Sequence, residues 1–266
     1  MIGVTQLHDI VYILCQRPST ISRFNATTHQ RLTDIDVIEL SPWDIVACEL
    51  TSHVYVVNRG CVWRMSEDCT GIQRWVPKSH SDTFQPRTVS VTAACLLVTL
   101  PFTLMQFDKD GNELRRVQLS ANVKPRHAVE SPSGSFIVSC YNRKLEQDQI
   151  IEVNTGGEVQ RQFRGSHLSP LGTTPRVAVD SRGNIFIADR DNRRILTLRR
   201  VIVDEDQPNF DQPNASVLHR TVRTTAGWAG VRRRRDVWCA SSLGDVFKFL
   251  HFYRAMPCIA RTSLAR

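Results

Sequence analysis

Chemistry in this chain would have to come from its eight histidines, its eight cysteines or its surplus of basic side chains. A nucleophilic centre needs a serine, cysteine or threonine beside a base, and a metal site needs imidazoles, thiolates or carboxylates at ligand spacing. Neither pattern is written here: there is no Gly-rich phosphate loop, no Gly-x-Ser-x-Gly elbow and no His-Glu-x-x-His segment. His8, His53 and His127 fall near strand ends without a carboxylate or serine at a telling interval, the habit of packed or solvated histidines. Cys15, Cys48, Cys95, Cys140 and Cys239 lie in or beside apolar runs, where a thiol behaves as a small hydrophobe, so buried free thiols are expected rather than disulfides. Cys61 and Cys69 are the one close pair, and the spacing between them matches no zinc pattern. No cofactor and no metal are expected.

The basic surplus is 34 Lys and Arg against 26 Asp and Glu, a formal charge of +8, which suits an acidic partner such as RNA. With 41% hydrophobic residues the chain has material for a sizeable core. No apolar run approaches the roughly 18 residues needed to cross a bilayer, and the N-terminus lacks a basic stretch leading into an apolar one. A cytoplasmic protein with no membrane partner is the expectation. Asn25 and Asn214 open glycosylation sequons, which matter only in an exported chain and are read as chance.

What must position any of these groups is a repeat. A β-rich run recurs as DIVYIL from Asp9, HVYVVN from His53, CLLVTL from Cys95, SFIVSC from Ser135, NIFIAD from Asn184 and DVWCAS from Asp236. Taking Tyr12, Tyr55, Leu97, Ile137, Phe186 and Trp238 as equivalent, the run returns roughly every 40 to 50 residues, the length of a four-stranded propeller blade. A second strand follows each run, in TISRF, CVWRM, TLMQF, IIEV, ILTL and VFKF. Ahead of four runs a proline, at Pro42, Pro86, Pro125 or Pro175, opens a further strand where no ladder donor is needed. SPSG at Ser131 and DSRG at Asp180 read as tight turns. Met1 leads almost directly into an innermost strand, IGVTQL. The fold class expected is all-β: a six-bladed propeller over residues 1–256, with an irregular loop at 201–235, a sixth blade that is incomplete or closed by FLHFYRA, and a tail at 257–266.

The fifth unit, PRVAVDSRGNIFIADRDNRRILTL, resembles an NHL repeat in its opening proline, Asp-x-x-Gly turn, apolar run ending in Ala-Asp and Asn-x-Arg-Ile lead-in. Six units agree with the six blades usual in that family, found at the C-terminal end of tripartite-motif proteins. The RING, B-box and coiled-coil segments of such proteins are not seen here, so ubiquitin-ligase activity is expected to lie outside this chain. The resemblance extends to gluconolactonase-like and amidating-lyase propellers, whose metal sites need carboxylates or histidines converging from several blades. The residues leading out of the second strands are instead mixed: Gln16, Asn58, Thr99, Tyr141, Asp189 and Ser241. Asp189 reads as a turn residue capping nearby amides, and a metal-dependent hydrolase or lyase is the least favoured alternative.

In a propeller the turns between second and third strands share a face with the connections between blades, so arginines scattered in sequence collect in space. That face would carry Arg17, Arg59, Arg87, Lys124, Arg126, Arg143, Lys144, Arg176, Arg190, Arg193 and Arg194, with Asp82, Glu146, Asp148, Asp189, Asp191 and Asp245 as the acids. Opposite turns lean acidic through Asp9, Glu67, Asp68, Asp108, Asp110 and Asp180, while the Arg232 to Arg235 run falls on that opposite side. A planar guanidinium suits carboxylate or phosphate because its fork donates two parallel hydrogen bonds. The expectation is a non-enzymatic binding platform docking a protein partner through this face. RNA on the same face is the alternative, with few aromatic rings expected among the arginines, and no small-molecule substrate is expected.

Overall fold

The computed structural model describes residues 3–16, 19–58, 60–68, 71–78, 84–163, 170–189, 191–192 and 194–198. Runs that are apolar at nearly every position need cover on both faces, and each of the five that lie in the described residues becomes the second strand of an antiparallel sheet with a neighbouring sheet packed against it. Blade 1 is β1 (Gly3–Leu7), β2 (Ile10–Gln16), β3 (Ser19–Asn25) and β4 (Ile35–Asp36). Blade 2 is β5 (Asp44–Cys48), β6 (His53–Asn58), β7 (Cys61–Ser66) and β8 (Gln73–Trp75). Blade 3 is β9 (Thr88–Val91), β10 (Cys95–Thr99), β11 (Thr103–Asp108) and β12 (Glu113–Gln118). Blade 4 is β13 (Val123–Glu130), β14 (Phe136–Asn142), β15 (Gln147–Val153) and β16 (Val159–Phe163). Blade 5 is the three-stranded β17 (Arg176–Val179), β18 (Ile185–Asp189) and β19 (Arg194–Leu198).

Strands pair in chain order within every sheet, and first strands pack on first strands from β1 to β5, β9, β13 and β17, the arrangement of a β-propeller. Among the described residues there are five blades, not the six expected. The unit around Trp238, the loop at 201–235 and the tail at 257–266 lie outside the described residues. Tyr12, Tyr55, Leu97, Ile137 and Phe186 are equivalent as expected, since each sits opposite the same rung of its inner strand: Thr5, Val46, Ser90, Val129 and Ala178. Proline placement differs from expectation in blade 4, where Pro125 is the third residue of β13 and borders a bulge that absorbs its missing N–H.

Cores form between blades. Val54, Val56 and Met65 pack with Leu7, Tyr12 and Leu14 between blades 1 and 2, and Trp75 meets Phe107 edge-on at 5.2 Å between blades 2 and 3. Inner strands leave one edge without a ladder partner, and polar side chains stitch it to the next blade. The Ala47 amide donates to Thr5 Oγ1 (2.9 Å), the Val89 amide to Asp44 Oδ2 (3.0 Å), Ser90 Oγ to the Ala128 carbonyl (2.7 Å), and the Val177 amide to His127 Nδ1 (3.4 Å). These bonds explain why Thr5, Asp44, Ser90 and His127 are buried although polar. Gly3 belongs to the same seam: a Cβ there would come within 2.7 Å of Ile45 Cγ2, so only glycine lets β1 lie this close to β5.

Candidate functional site

The face that carries the β10–β11 and β14–β15 turns gathers four cations from blades 3 and 4. Arg87 precedes β9 and is fixed through its backbone: its amide donates to the Thr99 carbonyl at 2.7 Å, and its carbonyl accepts the Trp43 indole N–H at 2.7 Å. Arg126 lies in β13, where its guanidinium stands 5.8 Å over the Tyr141 ring and its Nε is 3.6 Å from Asp148 Oδ1. Arg143, in the β14–β15 turn, is anchored by its amide to the Asn122 carbonyl (2.9 Å), and its guanidinium lies 4.9 Å over the Phe102 ring. Lys124 shares β13 with Arg126.

The electrostatics are those of like charges held together. Burial lowers the Arg87 pKa, and repulsion from Arg126 and Arg143 lowers it further. Lys124 is lowered chiefly by Arg87, then by burial and by Arg126 and Arg143. Asp148 is the carboxylate on Arg126, and burial raises its pKa against the pull of that arginine. An anion arriving here would relieve repulsion as well as gain hydrogen bonds.

Arg176 behaves differently from the expectation that it joins the rim. Its Nη1 donates to Asp44 Oδ2 at 3.0 Å and its Nη2 to the Trp43 carbonyl at 3.4 Å, bridging blade 5 to blade 2 with blades 3 and 4 between. The cause is a one-residue offset. Counted back from the paired residues at the following turn, Arg176 occupies the rung of His127, not that of Arg126, because β13 carries an extra residue at its bulge. A one-residue slip turns a strand side chain to the other face. Asp44, Thr88, His127 and Arg176 thus share one layer at this end of the inner strands, the first three buried and Arg176 nearly so. Burial raises the Asp44 pKa despite Arg176, and burial followed by the Arg176 charge pushes His127 well below the usual imidazole value.

Arg194 is also drawn inward, its Nε on Asp189 Oδ2 at 2.8 Å. Asp189 caps the Gly172 amide through Oδ1 at 3.0 Å, the structural role its position in the sequence suggested. Lys144 projects from an exposed turn whose amide is held by Asn142 Oδ1 at 3.0 Å. Arg17, Arg59, Arg190 and Arg193 lie outside the described residues. The sequence reading missed Phe102 and named Tyr141 only as a residue leading out of a second strand; they are the half-buried rings under Arg143 and Arg126, and the signal was an aromatic residue at the second-to-third-strand turns of blades 3 and 4. It also missed an open cleft of about 570 Å³ on the opposite face, lined by Arg23, His53, Ser66, Glu67 and Asp68 among others. Among the described residues no three His, Cys, Asp or Glu side chains are grouped closely enough to hold a metal ion.

No protein-family model matches the chain, and no curated protein matches its sequence. Solved structures do share its fold. A protein of unknown function from Bacteroides caccae aligns over 77% of this chain and 69% of its own at 14% identity, with a TM-score of 0.54. A streptogramin B lyase aligns over 82% and 67% at 10% identity (TM-score 0.52). A catalytically inactive histidine-to-alanine variant of virginiamycin B lyase from Staphylococcus aureus, with quinupristin, aligns over 82% and 68% at 10% identity (TM-score 0.55). Identities this low carry the architecture alone. They nevertheless correct the expectation of a non-enzymatic platform, because lyases are built on this same propeller, and the architecture gives no ground for excluding catalysis. The chain is an all-β propeller of antiparallel blades, four-stranded in blades 1 to 4 and three-stranded in the described part of blade 5.

Proposed function

We propose that the chain is a propeller of the NHL type and that its basic rim docks an acidic protein partner. The observation that carries this reading is the set of four cations, Arg87, Lys124, Arg126 and Arg143, close enough for Arg87 and Lys124 to be depressed by their neighbours. Such repulsion costs free energy in the isolated protein and is repaid by an anionic ligand. The test is binding of a fluorescent poly-glutamate peptide, with single-stranded RNA in parallel, across a salt series. Peptide affinity is expected to weaken as salt rises and to fall at least about tenfold in the Lys124→Glu, Arg143→Glu double variant. RNA bound more tightly than peptide would replace the protein partner with nucleic acid, whose bases would stack on Phe102 and Tyr141. Binding unchanged by the double reversal would remove the rim from consideration.

A second reading is turnover of a small molecule on this scaffold, which the likeness to lyase propellers supports. Incubation of the full chain with quinupristin is the direct check. Conversion to a new species, followed by chromatography and mass spectrometry, is the result this reading expects, and unchanged antibiotic retires it for that substrate.

A further inference from the structure

Two thiols that the rim does not use face each other across a blade boundary. Cys48 ends β5 in blade 2 and Cys95 begins β10 in blade 3, and their Sγ atoms are 3.1 Å apart although the residues are 47 positions apart in the chain. Both side chains are buried in the apolar core shared by these blades. A disulfide has its sulfurs at about 2.05 Å, so closing the pair needs a movement of roughly 1 Å, within the reach of small χ1 adjustments. Cys48 is followed by a surface turn in which Leu50 is 60% exposed, and local opening of that turn is the route we infer for a small oxidant to reach the pair.

The surroundings divide the two roles. The two sulfurs share a hydrogen bond, and that contact with Cys95 lowers the Cys48 pKa; burial opposes it, while the Thr51 hydroxyl and the Leu50 and Thr51 amides act in the same direction as Cys95. Tyr55 holds the Thr51 hydroxyl in place with a 3.2 Å bond. These contacts favour Cys48 as the attacking sulfur and Cys95 as the one that follows it. Cys140 makes the contrast: buried beneath blade 4, its pKa is pushed up to about 12, so it stays a protonated packing group.

We propose that Cys48 and Cys95 are a disulfide-forming site that fastens blade 2 to blade 3 when the protein meets a peroxide. The Cys48 thiolate attacks a peroxide oxygen, the O–O bond breaks, and the sulfur becomes a sulfenic acid as hydroxide leaves and takes up a proton. Cys95 then loses its proton and attacks that sulfur, forming the S–S bond and releasing the sulfenic oxygen as water. Two thiols give up two electrons and two protons, and hydrogen peroxide becomes two waters.

The experiment takes the fully reduced, full-length protein with and without hydrogen peroxide, alkylates it in denaturant, digests it and maps the peptides by mass spectrometry. A peroxide-dependent species joining the Cys48 and Cys95 peptides, two hydrogens lighter than their sum, is expected. In the Cys95→Ala variant the same treatment is expected to leave a Cys48 sulfenic acid that dimedone captures; should that variant not fold, the wild-type map decides alone. Recovery of both residues as separate alkylated peptides after peroxide, their appearance only as sulfinic or sulfonic acids, or linkage to other cysteines would overturn the assignment.

Discussion

His127 shows how a residue that looks idle in the sequence acquires a consequence once its neighbours are known. Its ring is buried and accepts the Val177 amide at Nδ1, and both burial and the nearby Arg176 charge disfavour the imidazolium. A histidine whose folded pKa lies below its unfolded value of about 6.5 contributes stability that is present above that pH and lost as pH falls toward the folded value. Asp44 acts with the opposite sign, because burial raises its pKa and its cost is relieved on acidification. The apparent Tm is expected to drop between pH 7 and pH 5, through a stability slope of up to about 1.4 kcal/mol per pH unit from this one proton. His127→Asn keeps an acceptor for Val177 and removes the titration, so its Tm profile over the same range should be flatter. A variant profile parallel to the wild type would place the acid sensitivity elsewhere.

At the scale of strands and turns, much of the architecture was readable. Second strands announce themselves because burial on both faces demands unbroken apolar runs, as in β10, where all five residues are buried. Turns are equally plain where an Asp or Ser and a Gly fix them: Gly134 and Gly183 both take positive φ, and Asp180 Oδ1 accepts two amides of its own turn. Fourth strands left little trace, since β16 is mostly and β12 half exposed and both carry charges that also suit loops. The site was legible only in part. Arg87 and Arg126 could be assigned to this face from the sequence because connections between blades share it with the second-to-third turns. Arg176 was misplaced because Pro-Arg recurs in blades 4 and 5 while the bulge at Pro125 shifts one strand against the other. Counting back from the glycine turns, rather than forward from the prolines, would have exposed the offset. The Cys48 and Cys95 contact leaves no local pattern at all, because it depends on how two blades dock.

For the molecule as a whole, the bond between Arg176 and Asp44 departs from a repeat protein's usual economy, in which each unit touches only its neighbours. Both side chains are largely withdrawn from water, and removing one partner from a buried pair leaves an uncompensated charge. Arg176→Ala is expected to lower unfolding stability by about 3–5 kcal/mol in urea titration, with part of the loss recovered in the Arg176→Ala, Asp44→Asn double variant. A loss below about 1 kcal/mol would mean that solvent already screens the pair.

That bond also sets a count. Rings made of like units can gain or lose one by duplication or deletion, provided each junction resembles the rest. Here a fixed pair of partners must meet with two units between them, so adding or deleting a segment between Asp44 and Arg176 would leave both charges stranded. Gain or loss of a blade is therefore expected to be tolerated only outside the arc that this chord subtends.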